Sequence, residues 1–93
     1  MLQRRFLVFS EKDRSAQLLG YPLKLSPAEY DLLYLIAEAT YIEKAELARL
    51  VENAIAPGSI AVHVHGINKK AKKISGRQLV VYVQNGYTLY QQM

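Results

Sequence analysis

The sequence predicts an α+β domain built as a winged helix-turn-helix: a short N-terminal antiparallel sheet, three helices and a C-terminal β-hairpin wing. Three observations predict it. Residues 1–25 contain short apolar runs separated by turns, residues 26–74 show apolar positions at helical spacing, and residues 75–93 show a strand–turn–strand pattern. The chain has the length of a single domain, so we take residues 1–93 as one unit, and its 51% apolar content suits a packed core.

The first 25 residues predict three antiparallel strands. Phe6–Phe9 is an apolar run, Ala16–Leu19 follows a polar turn, and Leu23–Leu25 alternates. Gly20–Pro22 predicts the second turn, because glycine tolerates positive φ and proline fixes its own. The apolar run at the N-terminus is too short for a signal peptide, and no run approaches the roughly 20 residues of a membrane span. We therefore expect a cytoplasmic protein that does not contact membranes.

The first helix has the clearest start signal in the chain. Ser26-Pro27-Ala28-Glu29 predicts a capping box, with serine as the N-cap, proline at N1 and glutamate at N3. The helix should run from Pro27 to about Ala39, and its wide apolar surface predicts a central position. Residues 40–42 interrupt the pattern, and residues 43–53 predict a second helix.

Residues 60–74 predict a third helix, with Ser59 as its candidate N-cap. The apolar positions at helical spacing are Ile60, Val64, Ile67, Ala71 and Ile74. Residues 62–65 alternate as a strand would, and Gly66 costs a helix interior about 1 kcal/mol. The long helical pattern outweighs the short alternation. Ser75-Gly76 then ends the helix.

The C-terminal segment predicts the wing. Leu79–Val83 is rich in β-branched and aromatic residues, Asn85-Gly86 is the preferred dipeptide of a type I′ turn, and Tyr87–Tyr90 forms the returning strand. The wing directly follows a basic helix.

Charge is distributed unevenly along the chain. Residues 28–58 have two basic and six acidic side chains, whereas residues 59–93 have five basic and no acidic side chains. The basic residues of the last segment are Lys69, Lys70, Lys72, Lys73 and Arg77. A one-sided basic segment predicts phosphate binding. If the four lysines each neutralise a phosphate, they contribute about −3.6 to the slope of log affinity against log salt.

Three segments resemble the OmpR/PhoB-type effector domains of response regulators, in the right order and across essentially the whole chain. Leu25–Leu33 resembles the first-helix signature, Ile60–Ala71 the recognition helix and Val81–Leu89 the wing. The resemblance implies a cytoplasmic transcription regulator that binds double-stranded DNA at direct repeats, often as a head-to-tail homodimer. Because family members usually carry a receiver domain upstream, the resemblance implies either the output domain of such a two-component response regulator or a stand-alone relative. The resemblance also implies that the connector between the second and third helices contacts RNA polymerase or guides docking on DNA.

The predicted DNA-contacting residues lie on the third helix and the wing. Those on the helix are His63, His65, Asn68, Lys69, Lys70, Lys72 and Lys73, with His63 directed to phosphate and His65 to bases. Those on the wing and its flank are Arg77, Tyr82, Gln84 and Asn85. Family members commonly have recognition-helix arginines where this chain has His65, Gly66 and Asn68, and a wing arginine where it has Gln84. An alternative function is therefore a winged-helix protein-interaction module with weak or no DNA binding.

Other chemistries are not indicated by the sequence. The chain has no cysteine, so disulfides and thiolate metal sites are excluded. His63 and His65 point to nearly opposite sides of a helix and are not expected to share a metal ion. We find no nucleophile–base pair, no paired carboxylates and no glycine-rich phosphate loop, and we expect neither an enzyme nor a cofactor.

Overall fold

Two small antiparallel sheets flank three helices in the computed structural model, which describes residues 2–4 and 6–90. The first sheet contains β1 (Gln3–Arg4), β2 (Leu7–Ser10), β3 (Ser15–Leu18) and β4 (Tyr21–Leu23), in that spatial order. The helices are α1 (Pro27–Ala39), α2 (Lys44–Val51) and α3 (Ile60–Ser75). The second sheet contains β5 (Tyr41–Glu43), β6 (Val80–Val83) and β7 (Gly86–Leu89), in the order β5-β7-β6. The predicted α+β winged helix-turn-helix is confirmed.

The first sheet differs from the prediction at both ends. Strand β1 was not predicted, because two residues are too few to form a pattern. The turn before β4 lies at Leu19 and Gly20, whose φ angles are 54° and 83°, so the predicted turn at Gly20–Pro22 was wrong. Tyr21 and Pro22 belong to β4 instead. Proline fits there because β4 is an edge strand and need not donate a hydrogen bond on its open side.

Helix α1 begins and ends where the sequence predicts. The capping box is formed: Ser26 Oγ accepts a hydrogen bond from the Glu29 N–H (3.2 Å), and Glu29 Oε1 accepts one from the Ser26 N–H (2.9 Å). Leu33 and Ile36 of α1 are fully buried. The central position predicted for α1 is therefore confirmed, and both α3 and the second sheet pack against this helix.

Strand β5 was not predicted, and helix α2 is shorter than predicted. Thr40 ends α1 with φ 64°, and the chain then pairs with the wing, with Ile42 opposite Tyr87. Only Ile42 of the three β5 residues is buried, so the segment has no readable pattern. Glu43, predicted to be helical, is the N-cap residue of α2 and has no side-chain capping bond.

Helix α3 confirms the helical interpretation of residues 60–74. It ends at Gly76, which has φ 77° and donates its N–H to the Lys72 carbonyl. The predicted capping role of Ser59 was wrong. A 3₁₀ turn over Pro57–Ser59 leads directly into α3, so Ser59 already has helical dihedral angles and its side chain makes no capping bond.

The wing turn lies one residue earlier than predicted. Gln84 and Asn85 have φ angles of 49° and 65°, and Val83 pairs with Gly86. Gly86 is thus a strand residue rather than a turn residue. A Cβ atom there would overlap the Tyr41 hydroxyl group and lie 2.7 Å from the Ile42 carbonyl oxygen. Packing of β5 against β7 therefore explains this glycine.

Over residues 2–4 and 6–90, no helix has both the length and the apolar character needed to cross a bilayer.

Candidate nucleic-acid interface

Helix α3 has one buried side and one exposed side. The buried positions are Ile60, Val64, Ile67 and Ala71. The exposed positions, which we call the outer face of α3, are Ala61, Val62, His65, Lys69, Lys72 and Lys73. They recur at spacings of three and four residues, which places them on one side of the helix. The lysines occupy its C-terminal half and the uncharged side chains its N-terminal half.

Three lysines are available on this outer face. Lys69, Lys72 and Lys73 are exposed, and none of them takes part in an ion pair with another described residue. Lys72 and Lys73 lie in the last turn of α3, where the negative end of the helix dipole stabilises positive charge. The C-terminal half of the outer face is therefore a compact cationic surface.

Lys70 is directed away from the outer face. Its Nζ donates a hydrogen bond to Glu29 Oε1 at the start of α1, at a distance of 2.5 Å. Glu29 is only 7% exposed, and the same carboxylate closes the capping box. The sequence predicted that Lys70 binds phosphate with the other lysines and that Glu29 acts only as a cap. Helical periodicity alone, which places Lys70 beside the buried side of α3, was the available signal.

The Glu29 carboxylate is held in its charged form by its neighbours. Burial by itself raises the pKa of Glu29, but the hydrogen bonds from Lys70 and the Ser26 backbone, with the Lys70 charge, outweigh burial and lower it. A lowered pKa in the folded state means that the carboxylate stabilises the fold above its unfolded-state pKa. This stabilisation is lost as the pH falls through the folded-state pKa.

Lowering the pH should therefore reduce the contribution of the Glu29 carboxylate to the stability of the fold. We expect the difference in free energy of unfolding between the wild type and Glu29→Gln to be largest near neutral pH and to shrink as the pH falls below the ordinary glutamate pKa of 4.5. Urea denaturation from neutral pH to about pH 3 measures it. A difference that stays constant over this range would contradict the assignment.

Gly66 is explained by the same carboxylate. A Cβ atom at Gly66 would overlap Glu29 Oε2 and lie 3.5 Å from its Cδ. The glycine in the interior of α3 therefore provides the space in which the Glu29 carboxylate meets Lys70. Its cost in helix propensity is offset by the capping box and the ion pair.

The effect of Gly66→Ala on the free energy of unfolding should change sign with the residue at position 29. We expect Gly66→Ala to destabilise the wild type by about 1–2 kcal/mol through overpacking. In a Glu29→Ala background it should stabilise by about 0.5–1 kcal/mol through helix propensity. A double-mutant cycle by urea denaturation measures the coupling. Gly58→Ala, whose Cβ would meet no atom within 4 Å, is the control; additive effects at 29 and 66 would refute the packing argument.

Asn68 joins α3 to the wing. Its Oδ1 accepts hydrogen bonds from the N–H groups of Leu79 and Val80 (2.8 Å each), and its Nδ2 donates to the Val80 carbonyl (2.9 Å). These three bonds use both acceptor positions of the amide group and one of its two N–H donors, so Asn68 is held against the wing rather than free for the predicted base contact. Asn68 thereby positions the first wing strand, β6, beside α3.

Hydrogen bonds from three residues fix the wing tip, which consists of Gln84 and Asn85. The Tyr41 hydroxyl group donates to the Gln84 carbonyl (2.7 Å), and the Lys44 N–H donates to the Asn85 carbonyl (3.0 Å). The Tyr82 hydroxyl group donates to Asn85 Oδ1 (2.8 Å). The side chains of Tyr82, Gln84 and Asn85 nevertheless stay exposed, so the predicted wing residues remain accessible.

The remaining predicted residues are Arg77, His65 and His63. Arg77 is exposed just after α3, with its guanidinium carbon 5.8 Å from the centre of the Tyr90 ring. His65 is exposed on the outer face and His63 is half-buried at its edge. In the described part of the chain, no three His, Asp or Glu side chains are grouped as a metal site requires.

The solved structures that are similar to this chain include DNA-binding domains of response regulators. The DNA-binding domain of the response regulator AdeR, in complex with an intercistronic region, superposes with a TM-score of 0.78 at 19% identity over 95% of both chains. The DNA-binding domain of CpxR from E. coli gives 0.74 at 23% identity, over 95% of this chain and 93% of that one. The chain has the winged-helix fold of OmpR/PhoB-type response-regulator DNA-binding domains.

A third similar structure is longer. It is described as belonging to a novel family of redox sensors in the streptococci that evolved from two-component response regulators. The TM-score is 0.78 at 19% identity, and the chain covers 41% of that protein's length. No protein-family model and no curated protein matches the chain.

Proposed function

We propose that this protein binds double-stranded DNA to regulate transcription, as the output domain of a two-component response regulator or as a stand-alone relative. Helix α3 would lie in the major groove with its outer face toward the DNA, and the wing would reach the neighbouring backbone. The observation that supports this most is the outer face itself, where Lys69, Lys72 and Lys73 project together and no acidic side chain intervenes.

The charge distribution supports the same proposal. The acidic residues of the chain all lie before Ser59. Among residues 2–4 and 6–90, Glu29 is the one carboxylate paired with a lysine of α3, and it neutralises Lys70 from the buried side. The outer face therefore keeps a net charge of one sign. Such a surface attracts phosphate groups and orients the protein on the duplex without reading sequence.

Binding to a labelled mixed-sequence duplex tests the proposal. We expect fluorescence anisotropy at increasing KCl, from about 50 mM to about 200 mM, to give a linear plot of log affinity against log salt. The three lysines should contribute about −2.7 to its slope, at about −0.9 each, instead of the −3.6 predicted for four. An Arg77 contact would add one further increment of similar size. Absence of binding at about 50 mM KCl, or a slope near zero, would refute the proposal.

The alternative of a protein-interaction module has a distinct outcome in this experiment. It predicts weak or no binding to the duplex, without the contribution of about −2.7 from the three lysines to the salt slope. Three further expectations from the family resemblance stay predictions: a receiver domain upstream, contact of the connector before α3 with RNA polymerase, and a head-to-tail homodimer on direct repeats.

A further inference from the structure

Val62 is an unusual residue for the outer face of α3. Its side chain is 68% exposed, the largest exposed fraction among the large apolar side chains of the described residues. Single exposed apolar residues are common on protein surfaces. Val62, however, lies in the first turn of α3, beside Ala61 and one helical turn before His65. In a recognition helix, residues of the N-terminal part contact base edges.

The N-terminal half of the outer face has few groups that can form hydrogen bonds with bases. Helix α3 contains no arginine, and the wing uses three of the four hydrogen-bonding positions of the Asn68 amide group. Within α3, His65 is the only exposed residue before Lys69 that has a polar side chain. What this half presents to a major groove is mainly the apolar surface of Ala61 and Val62.

The major groove contains one apolar group that matches such a surface, the C5 methyl group of thymine. A valine side chain in a helix has essentially one χ1 rotamer, so little conformational entropy is lost when it is fixed in a contact. Cytosine and the purines offer polar edges at the same depth, and these would be desolvated against Val62 without compensation.

We propose that α3 recognises thymine methyl groups through Val62 and therefore selects A·T base pairs opposite its N-terminal half. This inference rests on the proposed DNA binding and specifies the sequence class that the interface prefers. Sequence preference would then come from apolar contact, and affinity from the lysines of the same face.

Deoxyuridine substitution tests the inference, because uracil lacks only the C5 methyl group of thymine. Duplexes selected from a random pool by the intact chain would be synthesised with single thymines replaced by deoxyuridine. At one or two positions we expect the wild type to lose about threefold to fivefold in affinity, the effect of one buried methyl group. Val62→Ala should bind the thymine and uracil duplexes within about 1.5-fold of each other, since the contact would be lost.

The outcomes separate the inference from the function on which it rests. Val62 is exposed, so its replacement by alanine leaves the core unchanged, and circular dichroism should confirm an intact fold. If the wild type binds duplexes but does not distinguish thymine from uracil at any position, or if Val62→Ala keeps the distinction, the methyl contact is refuted while DNA binding stands. If no duplex binds at about 50 mM KCl, the proposed function and this inference both fail.

Discussion

Asn68→Ala is expected to lower the free energy of unfolding by about 2–6 kcal/mol. The substitution leaves the N–H groups of Leu79 and Val80 without their acceptor, and both residues are almost completely buried. Each buried, unsatisfied donor costs about 1–3 kcal/mol. Urea denaturation measures the loss, and hydrogen exchange should show that these two amides lose protection first.

Asn53→Ala is the matched control for this substitution. Asn53 is exposed in the turn that follows α2, so the same chemical change should alter stability by no more than about 0.5 kcal/mol. A loss at Asn68 as small as that at Asn53 would mean that the wing is not held to α3 by this side chain. Asn68 would then return to the residues available for base contact.

Reversing two lysine charges on the outer face is expected to weaken binding to a mixed-sequence duplex at least about 100-fold at about 0.1 M salt. In Lys69→Glu/Lys73→Glu, two phosphate contacts are lost, and each contributes about one log unit of affinity at this salt concentration through counterion release. The salt slope should become shallower by about 1.8. Fluorescence anisotropy measures both quantities.

The control is a variant with the same change in net charge at another surface. Lys12→Glu/Arg49→Glu also lowers the net charge by four, but Lys12 lies in the turn between β2 and β3, and Arg49 lies on α2, where it pairs with Glu46. We expect this variant to bind several-fold more weakly at most, through the long-range field of the protein. Equal losses in the two variants would show that net charge, and not the outer face of α3, determines affinity.

Much of the fold was predictable because strong local signals coincide with the tertiary structure. The capping box and the apolar surface of α1 predicted its bounds, and the long helical pattern of α3 outweighed the alternation of residues 62–65. The errors lie where local signals are short. Strand β1 has two residues and β5 has three, too few to show a pattern, and the partner of β5 is β7 near the other end of the chain. The turn dipeptide Asn85-Gly86 was misleading because close packing of Tyr41 required glycine in β7.

The candidate site was likewise predictable in part. The amino-acid sequence alone determined that a basic, acid-free segment follows the acidic middle of the chain, and that α3 has one apolar side, because composition and periodicity are local properties. Only the tertiary structure decided which polar side chains remain available. Lys70 is taken by Glu29 and Asn68 by the wing, through contacts that span 41 residues in the first case and 11–12 in the second. Long-range hydrogen bonds depend on how the elements pack, and no local pattern specifies that packing.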